Sequence, residues 1–190
     1  MHAVQPPQML DLRDSLPRHA TKRWRPRPVP IACVVTHQSL GSSRILPPGT
    51  LTRYMASYHV KQDPRGRAYG RNWAGLAYHF CIEPRGAIVW ANDLGLRTYH
   101  TGGARNRDGV GIVICGDFDG GRHRGKATPT PQQRASWQRL ALWLSATYKI
   151  PPARFFGHCD APGGTRKAAC PGNAIMGWVE AFRHGQIRVD

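Results

Sequence analysis

The apolar positions of this chain fall into two kinds of run. Residues 31–37 (IACVVTH) and 109–115 (GVGIVIC) are short and nearly continuous, the pattern of strands buried on both faces. In the first, alternation puts His37 on the same face as Ile31, Cys33 and Val35. Residues 75–82 and 87–90 flank Glu83-Pro84-Arg85-Gly86 and predict a hairpin. Other stretches repeat at helical spacing. Thr130-Pro131-Gln132-Gln133 reads as a capping box with proline at the first helical position. Behind it Trp137, Leu140, Ala141, Leu144 and Tyr148 form one stripe, and Pro151-Pro152 stops the helix. Residues 173–183 predict a second amphipathic helix burying Ile175, Val179 and Phe182. Thr50 is placed to cap a third, with Leu51, Tyr54, Met55 and Tyr58 on its buried side. Strands and helices alternate, so the expected fold class is α/β, a single domain with a central twisted sheet flanked by helices.

Composition sets the limits. A chain of 190 residues, 41% apolar, supports one domain with a sizeable core. The prolines at 6, 7, 17, 26, 28 and 30 preclude long regular elements at the start. Residues 1–29 therefore read as a basic arm lying over a domain of residues 30–184, with 185–190 as a tail. Loops are expected at 61–72 and at 116–128, the latter basic and exposed. No apolar run is long enough to span a membrane, and MHAVQPPQML lacks the charged start and apolar core of a secretory signal. Synthesis in the cytoplasm is the expectation, with the five cysteines reduced. Twenty-seven Lys and Arg against eleven Asp and Glu give a net charge of +16, which favours polyanionic partners. The basic residues are scattered and match no nucleic-acid motif, so no specific nucleic-acid partner is expected.

One stretch carries the candidate chemistry. FFGHCDAPGGTRKAACPG, residues 155–172, holds His158 and Cys170 on either side of a glycine-rich loop. Imidazole and thiolate are ligands that Zn²⁺ favours, and His37 is the best third donor. Three protein ligands leave a fourth position open, the catalytic arrangement, whereas structural zinc sites are closed with four. A buried thiol and buried strand histidines are the plain alternatives for the same residues.

Five ordered motifs, VVTH (34–37), LAYHFCI (76–82), YHTGG (99–103), VGIVICGDF (110–118) and GHCD…CPG (157–172), resemble the zinc-dependent N-acetylmuramoyl-L-alanine amidases that share a fold with peptidoglycan recognition proteins. The small phage endolysins of that family are the nearest in pattern. The resemblance implies a mixed sheet with helices on both sides and Zn²⁺ held by His37, His158 and Cys170 at the floor of a groove. It implies that Tyr78 assists catalysis and that His100 faces the substrate cleft. A tyrosine sharing a strand face with Phe80 and Ile82 also fits an ordinary core position. His79, opposite Tyr78, is expected to be structural, and Asp160 to brace its loop. Where phage relatives carry a lysine two residues before the cysteine, this chain has Ala168; Lys167 is the expected substitute, with Arg166 and Thr165 as neighbours able to replace it. Val113 stands where recycling amidases carry a glutamate, which favours the lytic type.

The activity implied is hydrolysis of the amide between N-acetylmuramic acid and L-alanine by a monomer that reaches the cell wall after release. The partners implied are peptidoglycan and, through the basic charge, the anionic envelope. A cytosolic muropeptide-recycling amidase and a non-catalytic recognition module are the competing readings.

Overall fold

A computed structural model of the chain describes residues 4–61, 70–118, 127–165 and 167–187. Its centre is a six-stranded mixed sheet. In chain order the strands are β1 (Leu10–Asp11), β3 (Cys33–Gln38), β4 (Phe80–Ile82), β5 (Ile88–Trp90), β7 (Gly109–Ile114) and β8 (Phe155–Gly157); β2 (Arg25–Pro26) and β6 (Leu96–Arg97) form a separate pair. The spatial order is β1-β5-β4-β7-β3-β8, with β4 and β5 antiparallel and every other neighbouring pair parallel. The apolar runs read as buried strands are β3 and β7, the inner parallel pair, and every residue of both is buried.

Alternation along these strands sorts side chains to two faces. Val34, Phe80, Ile82, Ile112 and Ile114 point one way and meet α3 (Pro131–Tyr148) and α4 (Asn173–Arg183) through Trp137, Leu140, Leu144, Ile175, Val179 and Phe182. The capping box of α3 is formed as the sequence predicts, with Thr130 accepting from Gln133 N–H and Gln133 accepting from Thr130 N–H. Cys81, Val89, Val113 and Cys115 point the other way, onto Leu51 and Ala56 of α1 (Thr50–Val60) and onto Leu12 and Leu16; the one-turn α2 (Arg105–Asp108) leads into β7.

Much of the segment 4–29 is built into this domain. Leu10 and Asp11 add a strand to the sheet edge, and Leu12 and Leu16 are buried. The guanidinium of Arg27 donates to the carbonyls of Leu94, Leu96, Arg107 and Gly109. Arg18 donates to Ala91 O and Asn92 Oδ1. Two basic residues of the arm thus donate to main-chain carbonyls of the domain.

Three local expectations need correction. The N-terminus of α1 is not capped by Thr50: Gly49 is the N-cap, in left-handed conformation (φ 86°), with no side-chain cap of its own. The buried Glu83 carboxylate instead accepts from Gly49 N–H, Thr52 N–H and Thr52 Oγ1–H at 2.8–2.9 Å, satisfying donors that a helix start leaves open. The helix accordingly turns Leu51, Thr52, Ala56 and His59 inward, and Tyr54 and Tyr58 stand exposed. The loop after β7 is folded in at its start, where Gly116 and Asp117 are buried. Residues 119–126 and 62–69 of the two expected loops lie outside the described residues, as does Arg166. Among the described residues no helix is long and apolar enough to cross a membrane.

Candidate metal centre

His37 sits next to last in β3, on the α1 side of the sheet. Its parallel neighbour β8 ends at Gly157, and His158 N–H continues the ladder to Thr36 O at 3.1 Å. Two adjacent strands therefore deliver His37 and His158 side by side. The loop after β8 then brings Cys170 back, because Cys159 N–H donates to Cys170 O at 2.8 Å. His37 Nδ1 lies 3.1 Å from His158 Nδ1 and 3.8 Å from Cys170 Sγ, and the three donor atoms fall within 4.8 Å of one another.

The donor set fits Zn²⁺. Tetrahedral bonds of roughly 2.0–2.1 Å to nitrogen and 2.3 Å to sulfur put two nitrogens about 3.3 Å apart and a nitrogen and sulfur about 3.6 Å apart. Burial first, then the neighbouring histidines, lowers the pKa of His37 well below its usual value. His158 is lowered too, chiefly by burial, with backbone of Thr101 and Thr165 opposing and the Lys167 charge reinforcing. Both rings are thus neutral near pH 7 and present lone pairs. None of the five cysteines is in a disulfide.

Tyr78 is half-buried, its ring centroid 5.1 Å from that of His37. It does not share a face with Phe80 and Ile82. Ala91 N–H and Asn92 N–H both reach His79 O, two residues facing one as in a β-bulge, and regular pairing starts only at Phe80. The break in alternation turns Tyr78 toward Cys81 and Leu76 on the metal side. Asn92 Nδ2 fixes this segment through the carbonyls of Leu76 and Tyr78. Burial first, then Cys170 beside it, raises the Tyr78 pKa, so the phenol remains a proton donor.

His100 does not face a cleft. Its ring is buried, with Nδ1 3.1 Å from His37 Nε2 and Nε2 3.2 Å from Gly109 O. Both ring nitrogens are engaged inside the protein, which removes the surface on which a substrate contact would depend. His79 is buried and structural, its Nδ1 accepting from Gly111 N–H and its Nε2 lying 3.1 Å from Leu96 O. Asp160, expected to brace its loop through backbone hydrogen bonds, instead makes an ion pair at 2.7 Å with Arg183 at the end of α4. Lys167 is exposed on the loop, and its carbonyl accepts from Cys170 N–H; Thr165 is exposed beside it, with its N–H on Thr101 O.

The YHTGG motif interlocks with that loop. Gly102 (φ 73°) and Gly103 (φ 57°) approach Thr165 and Gly163 so closely that a Cβ on either would collide. Sequence reasoning missed Gln38. Its buried amide donates to Ala169 O at 2.6 Å and accepts from Phe118 N–H at 2.5 Å, tying β3 to both neighbouring loops. A glutamine ending an otherwise apolar strand was the only available signal.

The family model described as N-acetylmuramoyl-L-alanine amidase matches residues 25–173. None of the curated proteins matches the sequence. Among solved structures, the endolysin amidase LysCS from Clostridium intestinale is similar at TM-score 0.62 and 20% identity, over 97% of this chain and 99% of that one. Drosophila PGRP-LB is similar at TM-score 0.70 and 22% identity, over 93% and 95%. The Ph2119 endolysin from a Thermus scotoductus bacteriophage gives 0.64 and 19%, over 93% and 99%. These likenesses establish a shared mixed-sheet α/β fold. The family match runs from the end of the arm to the start of α4, and by it the chain belongs to the N-acetylmuramoyl-L-alanine amidase family.

Proposed function

We propose that the protein is a zinc-dependent lytic amidase that cleaves the bond between N-acetylmuramic acid and L-alanine in peptidoglycan. The observation that carries this reading is the convergence of His37, His158 and Cys170, three donors within 4.8 Å, in a member of the amidase family. When bound, zinc supplies Lewis acidity and a coordinated water acidified to a pKa of roughly 7. The residues do the rest. His37, His158 and Cys170 would hold the ion. Tyr78, kept protonated by burial, donates a hydrogen bond to the carbonyl oxygen as negative charge grows on it. Lys167, exposed beside the ligand loop, adds positive charge toward the same transition state. The net charge of +16 favours residence on the anionic envelope.

Cys170 supports an enzyme over a pure recognition module, since a thiolate donor set has no use in binding a muropeptide alone. The test is release of L-alanine amino groups from purified sacculi, with and without a zinc chelator. Release that the chelator abolishes and added Zn²⁺ restores is expected. A zinc-loaded protein that leaves sacculi intact would sink the proposal, and a preference for soluble muropeptides would replace the lytic reading with a recycling one.

A further inference from the structure

His100 and the two glycines beneath it remain outside the reaction just described, yet the ring has both nitrogens engaged in the interior. The ring lies on β7 at Gly109 and Gly111, which share one face of the strand. A Cβ on Gly111 would stand 2.7 Å from His100 Cγ, and one on Gly109 would stand 3.3 Å from Cε1. The alternating glycines of the GVGIVI strand thus make a recess that this imidazole fills. At its far end the ring meets Gly109 O, which also receives Arg27 Nη2–H at 3.1 Å. At its near end it meets His37 Nε2.

We propose that His100 is a positioning residue that fixes the tautomer of His37, so that Nδ1 of His37 is the nitrogen offered to the metal. A carbonyl oxygen only accepts, so the proton of the neutral His100 ring is on Nε2, directed at Gly109 O. His100 Nδ1 is then a lone pair, and the 3.1 Å contact requires His37 Nε2 to carry the hydrogen. A neutral His37 with its proton on Nε2 has a bare Nδ1. That atom is the one facing His158 Nδ1 and Cys170 Sγ. Both rings are buried, His37 fully and His100 at 5% exposure, where an ionised imidazole without a paired anion is disfavoured. The order of donors is Arg27 and His100 to Gly109 O, then His37 to His100. Because Arg27 shares the Gly109 carbonyl, the N-terminal arm supports the same chain of hydrogen bonds.

This inference rests on the zinc reading for its purpose, but its test separates the two. Long-range ¹H–¹⁵N correlation on the metal-free, ¹⁵N-histidine-labelled protein, with His37 assigned by His37→Gln, reads the tautomer directly. A proton on Nε2 of His37 is expected; a proton on Nδ1 overturns the proposal. Two variants then test the role. In His100→Asn the side-chain oxygen occupies the place of Nδ1 and still accepts from His37. In His100→Gln the amide reaches the place of Nε2 and serves Gly109 O alone. Zinc affinity by chelator competition is expected to fall within about threefold for Asn and by roughly 10–100-fold for Gln, the range for losing an outer hydrogen-bond partner of a ligand. A purely space-filling role predicts that the larger Gln does as well as Asn or better, and that result also overturns it. If neither variant folds, the tautomer in the unaltered chain decides. An Nε2–H His37 in a protein that takes up no zinc would uphold the tautomer and remove the zinc reading alone.

Discussion

Gln38 and Ala169 lie 131 positions apart in sequence and are joined by a hydrogen bond of 2.6 Å from the glutamine amide to the alanine carbonyl. One partner follows His37 and the other precedes Cys170, so the bond sets the span between two of the metal donors. Gln38→Leu orphans Ala169 O and Phe118 N–H together. We expect a stability loss of about 2 kcal/mol and a zinc affinity lower by roughly tenfold. Denaturant unfolding and chelator competition measure the two; an unchanged zinc affinity would show that the loop holds Cys170 without this bond.

Tyr78→Phe is expected to keep zinc and leave KM nearly unchanged while kcat falls by roughly 10²–10³, the cost of losing one oxyanion donor. The rate of L-alanine release from sacculi checks it. Loss of less than a factor of three would reduce Tyr78 to a packing residue.

Glu83 caps α1 from a neighbouring hairpin, accepting three hydrogen bonds in a buried site. Glu83→Ala should cost about 3 kcal/mol, since charge-assisted bonds contribute roughly 1.5–3 kcal/mol each and their loss is partly relieved by fraying. Chemical denaturation should report it, with an unfolding slope that stays the same if the rest of the domain holds.

Stability should fall as the medium turns acidic before the carboxylates titrate. Burial depresses His59 from 6.5 to about 4 and His79 to about 3. Their folded values lie below the unfolded one, so their contribution is complete above pH 6.5 and is lost as pH falls toward those values. Each accounts for about 2 kcal/mol by pH 5. His59→Asn keeps an acceptor for Ala77 N–H and should flatten the dependence by about one proton. A slope identical to that of the unaltered chain would refute the assignment.

Periodicity and caps were enough to find α3 and α4, because those helices bury a stripe their own sequence defines. The parallel pair β3 and β7 was equally legible as continuous apolar runs. What escaped were features set by distant partners. Tyr54 and Tyr58 match a helical stripe, but Glu83 fixes the start of α1 and a different face turns inward. Tyr78 follows strand alternation only until the bulge at His79 reverses it. His37, His158 and Cys170, which the family resemblance groups, lie with their donor atoms within 4.8 Å of one another. The resemblance set His100 in the cleft, because a motif records which residues are near a site and not which side of a ligand they occupy.

The two-residue strand Leu10–Asp11 also has a colloidal consequence. It covers the open amides of Ile88–Trp90, whose apolar sequence would otherwise template strand addition from another molecule. With Pro6 and Pro7 just upstream and Arg13 just downstream, the new outer edge is short and charged. Trimming residues 1–29 as a dispensable arm would therefore uncover an adhesive border, and the shortened chain should aggregate on warming well before the intact one does.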